Sequence, residues 1–188
     1  MDKNLKQNAS NCLKIVLFGP ESTGKTTLAA ALAKHYNTVW APEFAREYLQ
    51  KKWNDAATIC EIEDIIPIAL GQIKLENELL QKANKIIFCD TNILETKIYA
   101  EEYYINYSNK ILNEAIVNLN YTLYFLTDID TPYIQDDLRD RPYMRQEMFN
   151  AFKKGLERHK CTYQIVSGSI EERMSKAKMS IDKLLADG

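Results

Sequence analysis

Residues 19–26, Gly-Pro-Glu-Ser-Thr-Gly-Lys-Thr, set two glycines, a lysine and a hydroxyl at the spacing G-x-x-x-x-G-K-[ST]. At that spacing the backbone N–H groups can curl round a chain of phosphates. The lysine reaches the outer phosphates and the threonine hydroxyl can ligate magnesium. The candidate nucleotide contacts are therefore Gly19, Glu21, Ser22, Thr23, Gly24, Lys25, Thr26 and Thr27, with Lys25 catalytic and Thr26 a metal ligand. The flanks suit the motif: "CLKIVLFG" reads as a buried strand before it and "TTLAAALAKHY" as a helix after it. A helix opening there adds the positive end of its dipole. ATP with Mg2+ is the expected ligand pair.

The loop grips phosphates without saying where they go. A guanine-nucleotide switch needs N-K-x-D, and neither Asn84-Lys85 nor Asn109-Lys110 is followed by x-Asp. A processive ATPase usually carries a glutamate after the aspartate that ends its acidic strand, to activate water. In "IIFCDTN" the residue after Asp90 is Thr91. Both absences favour transfer to a small molecule, a reaction from which water is best excluded.

Such a kinase needs an acceptor carboxylate, a magnesium-organising carboxylate, a cationic lid and a base pocket. Glu43 in "APEFAREY" could bond the acceptor hydroxyl and take its proton. Its bland alternative is an acid at a helix N-terminus. Asp90 ends an otherwise apolar strand, where an unpartnered carboxylate is costly. It could order the magnesium shell, with Thr26, or bind the acceptor itself. Arg139, Arg141 and Arg145 crowd a polar stretch and could neutralise the transferring phosphoryl group. Ser167 and Gly168 could place backbone groups round adenine.

These residues need a frame. Apolar runs at 12–19, 37–43, 85–90, 121–128 and 162–168 read as strands, and helical patterns cover 26–36, 44–53, 61–84, 92–104, 108–119, 146–159 and 169–187. Pro67 implies a kink or a helix start just before it. Strand–helix alternation argues an α/β fold: a five-stranded parallel sheet with helices on both faces. Ligands then lie beyond the carboxyl ends of the strands, at Gly19, Glu43, Asp90, Asp128 and Ser167–Gly168.

With 188 residues and no Pro/Gly-rich linker, one domain spanning 1–188 is expected, with a lid at about 129–145. A net charge of -2 gives no bulk attraction for nucleic acid or an anionic membrane. The polar N-terminus and short apolar runs predict a cytoplasmic chain without a membrane span. Cys12, Cys60, Cys89 and Cys161 form no C-x-x-C pair, and His35 and His159 stand alone, so a zinc site is not expected. The sequence is silent on oligomeric state.

"FGPESTGKTTLA", "APEFAREYL", Gly71-Gln72, "IIFCDTN" with "ETKIYAEEYY", "DIDTPYIQDDLRDRP" and "IVSGSIEERM" together resemble the nicotinamide riboside kinase domain of NadR-type proteins. The resemblance covers almost the whole chain after the first dozen residues. It implies a P-loop NTPase fold like that of nucleoside monophosphate kinases, ATP with magnesium as donor, and nicotinamide riboside as acceptor on its 5′-hydroxyl. It also places Glu43, Arg46, Asp90 and Asn92 at the acceptor end, and Arg139 and Arg141 in the lid. The chain departs from the family pattern at Asn92, where an acid is usual, and at Tyr133, where tryptophan is. The pyridinium of that acceptor would suit carboxylates and an aromatic face, for which Trp40, Trp53, Tyr99, Tyr103 and Tyr104 are candidates.

Overall fold

The structure, a computed structural model, describes residues 5–138 and 142–187. Strands β1 (Leu13–Phe18), β2 (Trp40–Ala41), β3 (Ile86–Asp90), β4 (Leu123–Thr127) and β5 (Tyr163–Val166) form one parallel sheet in the order 2-3-1-4-5. Helices α1 (Lys25–His35), α2 (Phe44–Ala56), α3 (Ile65–Leu80), α4 (Ile93–Tyr103), α5 (Lys110–Val117), α6 (Arg145–Arg158) and α7 (Ile170–Asp187) alternate with the strands. The expected five-stranded α/β sheet is thus present.

Strand β1 lies at the centre because it is apolar on both sides. Val16 and Phe18 face one core with Ile93, Leu94, Ile98 and Phe152, while Ile15 and Leu17 face another with Leu28, Leu32, Ala177 and Ile181. A period of two therefore divides one strand between two cores. Each fully buried side chain of this size stabilises the fold by roughly 1.5–3 kcal/mol.

Two elements differ from their sequence patterns. The second strand shrinks from 37–43 to Trp40–Ala41. It is an edge strand paired only with β3, and Pro42 follows it without an N–H to donate. The third long helix begins at Ile65 after a short 3-10 turn, Ile62–Asp64. Pro67 thus falls in the first turn, where a missing N–H costs nothing.

The register brings the chemistry to one edge. Leu17 pairs with Asp90 and Phe18 with Leu126, so Gly19, Asp90 and Thr127 end their strands nearly level. Among the described residues no helix is long and apolar enough to cross a membrane.

Candidate functional site

The loop after β1 turns through Gly19 at φ 139°, Ser22 at φ 55° and Gly24 at φ 82° before α1 starts at Lys25. Gly19 is required for space as well as for its dihedral. A Cβ there would sit 2.6 Å from Thr127 Oγ1. Thr23 fastens the back of the loop: its hydroxyl donates to Pro20 O at 2.7 Å and lies 2.6 Å from Thr127 Oγ1.

Lys25 Nζ donates to Gly19 O at 2.5 Å and to Pro20 O at 3.0 Å, and pairs with Glu95 Oε1 at 3.3 Å. Burial works to lower the lysine pKa, but Glu95, Glu43 and Asp90 outweigh it, so the net shift is upward. The ammonium is therefore kept charged in a site almost closed to water. Burial pushes the Glu95 carboxyl up to about 8, with Lys25 opposing and Glu43 and Asp90 reinforcing. Its second oxygen accepts the Gly19 N–H at 3.3 Å.

Asp90 is 1% exposed. Its Oδ2 accepts the Thr26 hydroxyl at 2.5 Å, while Oδ1 is buried without a hydrogen-bond partner among the described residues. Burial and then the Glu43 charge raise its pKa to about 6, against Lys25 and Thr26. A buried carboxylate oxygen without a donor beside the loop threonine fits the water shell of a magnesium ion. The residue after it, Thr91, is 5% exposed and sits at φ 72°, an uncommon region for a β-branched side chain. Its N–H is held by Leu17 O at 3.0 Å. The position after Asp90, where a processive ATPase usually carries a glutamate, is thus filled by a buried, uncharged side chain.

Glu43 precedes α2 but makes no side-chain cap to it. The first amide of α2, Phe44 N–H, goes to Gln72 Oε1 of α3 at 2.9 Å. Gln72 is held in turn by Glu76 Oε1 at 2.9 Å, and Glu76 Oε2 accepts the Tyr121 hydroxyl at 2.6 Å. The adjacent Gly71 leaves room for the Phe44 ring, since a Cβ at 71 would meet Phe44 Cε1 at 2.0 Å. Glu43 is left half-buried, close enough to raise the pKa values of Lys25, Asp90 and Glu95.

The remaining sequence candidates divide. Arg46 forms an ion pair with Asp136, which joins α2 to the segment over the phosphate loop. That segment is docked by Ser22, whose hydroxyl donates to Ile134 O and accepts Ile134 N–H, each at 3.1 Å. Arg145 donates to Ser22 O at 3.1 Å and Thr131 O at 2.9 Å. Arg139 and Arg141 lie outside the described residues. Asn92 is fully buried: its oxygen caps α4 at Leu94 N and Glu95 N, and its nitrogen donates to Tyr124 OH at 3.0 Å. Both ends of that amide are spent on the fold. Ser167 accepts from Lys176 Nζ through O and Oγ, and Gly168 turns at φ 94°.

Of the aromatic candidates, Tyr99 feels the site's carboxylates. Its hydroxyl is pushed well up by burial first and then by Glu95, Glu21 and Glu43. It packs edge-on against Phe152 at 5.0 Å and Tyr103 at 5.9 Å. Trp40 packs in the core beneath α1 and α7, and Tyr104 donates its hydroxyl to Cys60 O at 2.8 Å.

Glu95 and Arg173 escaped the sequence reading. Glu95 looks like any acid in the first turn of a helix. Arg173 carried a signal: it lies four and eight residues before Ala177 and Ile181, on the buried stripe of α7.

Against known proteins, the family model AAA_28, described as an AAA domain, matches residues 14–173. The chain belongs to that family. Within it the chain is similar to NadR proteins. It is 29% identical over 125 residues to the "Trifunctional NAD biosynthesis/regulator protein NadR" of Salmonella typhimurium, covering 66% of this chain and 30% of that protein. The chain thus spans under a third of that curated relative by alignment. A structure of NadR protein in complex with NR superposes with a TM-score of 0.77 at 23% identity, covering 92% of this chain and 51% of that one. NadR protein with NAD and AMP-PNP gives 0.74 at 21% identity, over 92% and 49%. Deoxyadenosine kinase from M. mycoides gives 0.67 at 13% identity, over 91% and 100%. The AAA-family fold here is therefore that of P-loop small-molecule kinases of the nucleoside kinase type.

Proposed function

We propose that this chain transfers the terminal phosphoryl group of ATP to the 5′-hydroxyl of nicotinamide riboside, giving the mononucleotide. The observation that carries the reading is the division of labour between Asp90 and Glu43. Asp90 binds Thr26 of the phosphate loop through one oxygen and keeps the other buried and open for the metal's water shell. Glu43 makes no side-chain cap to α2, whose first amide is held by Gln72, so its carboxylate is not spent on its own helix. One carboxylate serves the donor and the other is left for the acceptor. The choice of riboside draws on the likeness to NadR, one structure of which holds NR.

In this reading the loop amides and Lys25 hold the β- and γ-phosphates. Glu43 accepts the proton of the acceptor hydroxyl as its oxygen bonds to the γ-phosphorus; the bond from that phosphorus to the β,γ-bridging oxygen breaks, and ADP departs with the electron pair. Thr26 and Asp90 would hold magnesium, which supplies charge neutralisation to the phosphate oxygens when bound. Arg46 steadies the acceptor end through Asp136. Arg139 and Arg141 are assigned to the closing lid. The three carboxylates Glu43, Asp90 and Glu95 around one lysine suit a cationic acceptor such as a pyridinium nucleoside.

The test is turnover of ATP with nicotinamide riboside, thymidine, uridine and shikimate, with the products read by mass. Phosphorylation of the riboside well above the others is expected. Good turnover of another acceptor with none of the riboside would sink the named substrate and leave the kinase standing. ATP binding without turnover of any acceptor would point to a nucleotide-dependent regulator.

A further inference from the structure

We infer that Arg173, on the last helix and far from the loop motif in sequence, aims the phosphate loop by holding one of its peptide groups the right way round. The inference rests on the reading of residues 19–26 as the donor site.

Arg173 is 2% exposed. Its guanidinium is spread over the loops that follow β1, β4 and β5. Nη1 donates to Thr23 O, Nε to Gly168 O at 3.0 Å, and Nη2 to Asp128 O at 3.4 Å and to the Asp130 carboxylate. Asp130 in turn accepts the Gly168 N–H at 2.5 Å. A buried arginine would be costly unless its donors were matched, and here the fork is matched in three directions.

The contact with Thr23 O bears on function. The described peptides contain no cis bond, so the Thr23 carbonyl and the Gly24 N–H point opposite ways. Pulling the carbonyl back toward α7 turns the Gly24 N–H away from α7, toward the concave side where phosphates lie. The loop needs this restraint because of its own glycine. Gly24 stands at φ 82°, and the freedom that lets it form the turn also lets the Thr23–Gly24 peptide flip. A flipped peptide would aim an oxygen at the phosphates. Thr23 cannot prevent this alone, because its hydroxyl holds only the side chain, to Pro20 O and Thr127. Arg173 also grips Gly168 O, so the turn assigned to the base and the loop assigned to the phosphates share one guanidinium. Arg173 is a positioning residue, and its effect should fall on the donor alone.

The experiment measures AMP-PNP binding by calorimetry, without acceptor, in the wild type, Arg173→Lys, Arg173→Met and Asp130→Asn. Lysine keeps the charge and the buried stem but loses the fork. Both Arg173 variants are expected to bind about tenfold or more weakly, since a hydrogen bond from a charged group is lost. Asp130→Asn leaves the Arg173 bonds to Thr23 O and Gly168 O, so it should bind within about threefold of the wild type while melting lower, because the buried guanidinium loses its counter-charge. Melting temperature separates positioning from general damage: Arg173→Lys should melt close to the wild type while binding poorly. If Arg173→Met does not fold, Arg173→Lys still decides. Wild-type affinity in Arg173→Lys would overturn the inference, as would a loss matched by a proportionate fall in melting temperature. If the wild type itself binds no AMP-PNP, the donor-site reading falls instead.

Discussion

The phosphate loop after β1 and the helix that follows Glu43 after β2 lie on either side of the end of β3, and they are held by opposite means. The loop is bolted from behind, with Thr23 on Thr127, Lys25 on Gly19, Pro20 and Glu95, and Arg173 on Thr23. Helix α2 has no buried residue at all. It hangs on the next helix through one amide, Phe44 N–H on Gln72, with the Phe44 ring against Gly71 and with Tyr48 and Lys52 on Asp64. The donor is the same molecule for a great many enzymes, so its site can be rigid and deeply buried. On the proposed reading, acceptor choice would rest on a lightly anchored arm, where a few contacts can change without disturbing the core.

If that contrast is right, the largest loss comes from the donor side. Lys25→Met removes the cation between the loop carbonyls and Glu95. Turnover is expected to fall by about 10³-fold, as when a preorganised electrostatic group is removed. Steady-state rates at saturating ATP check it; a loss under tenfold would mean that Lys25 only fills space. On the acceptor side, Glu43→Gln should lower kcat by about 10²- to 10³-fold, the usual worth of a general base. AMP-PNP affinity should be unchanged. Equal damage to nucleotide binding would erase the distinction between the two sides.

Asp90 lets the contrast be read against pH. Its folded pKa of about 6 is raised above the ordinary carboxylate value by burial and by Glu43. The folded chain therefore holds this proton more tightly than the unfolded chain. Stability is favoured below the unfolded pKa, near 4, and declines as pH rises toward 6, where the buried group must ionise. Asp90→Asn keeps an acceptor for the Thr26 hydroxyl and removes that cost. It should be more stable than the wild type at pH 8 by roughly 1–3 kcal/mol, and no more stable at pH 4. The wild type should lose activity below about pH 6 as Asp90 takes up its proton. Denaturant melts at the two pH values, set beside a pH–rate profile, decide it. A variant less stable at pH 8 would show that the carboxylate is better satisfied than its buried Oδ1 implies.

The sequence made the donor side legible because its information is local. G-x-x-x-x-G-K-T between a strand and a helix is a spacing rule, and strand periodicity put Gly19 and Asp90 at one edge. What stayed hidden is what arrives from a distance. Arg173 reaches Thr23 across 150 positions and Gln72 reaches Phe44 across 28. Gly71-Gln72 stood out only as part of the family resemblance, without a role, and only the helix stripe 173, 177, 181 could have hinted at Arg173. Asn92 shows another limit. The resemblance puts it at the acceptor end, and what no sequence pattern displays is that the start of α4 holds its oxygen and Tyr124 its nitrogen.

The finest test of the contrast is Gln72, which touches neither the loop nor Glu43's carboxylate. Its oxygen carries the first amide of α2, and its nitrogen is oriented by Glu76, itself anchored by Tyr121. Gln72→Leu keeps the volume but leaves the Phe44 N–H without its acceptor on α3. The first turn of α2 would then shift to find that amide another partner and carry Glu43 out of place, because an unmet helix-end donor is costly. The expected result is a rise in the acceptor KM of about tenfold, matching one hydrogen bond of roughly 1 kcal/mol, with AMP-PNP affinity untouched. Gln72→Glu keeps the accepting oxygen but sets a second carboxylate against Glu76. It should retain the acceptor KM while losing stability, which separates the cap from the packing. If Gln72→Leu instead weakens AMP-PNP binding, α2 and the loop move as one body, and the two sides of the cleft are not independent.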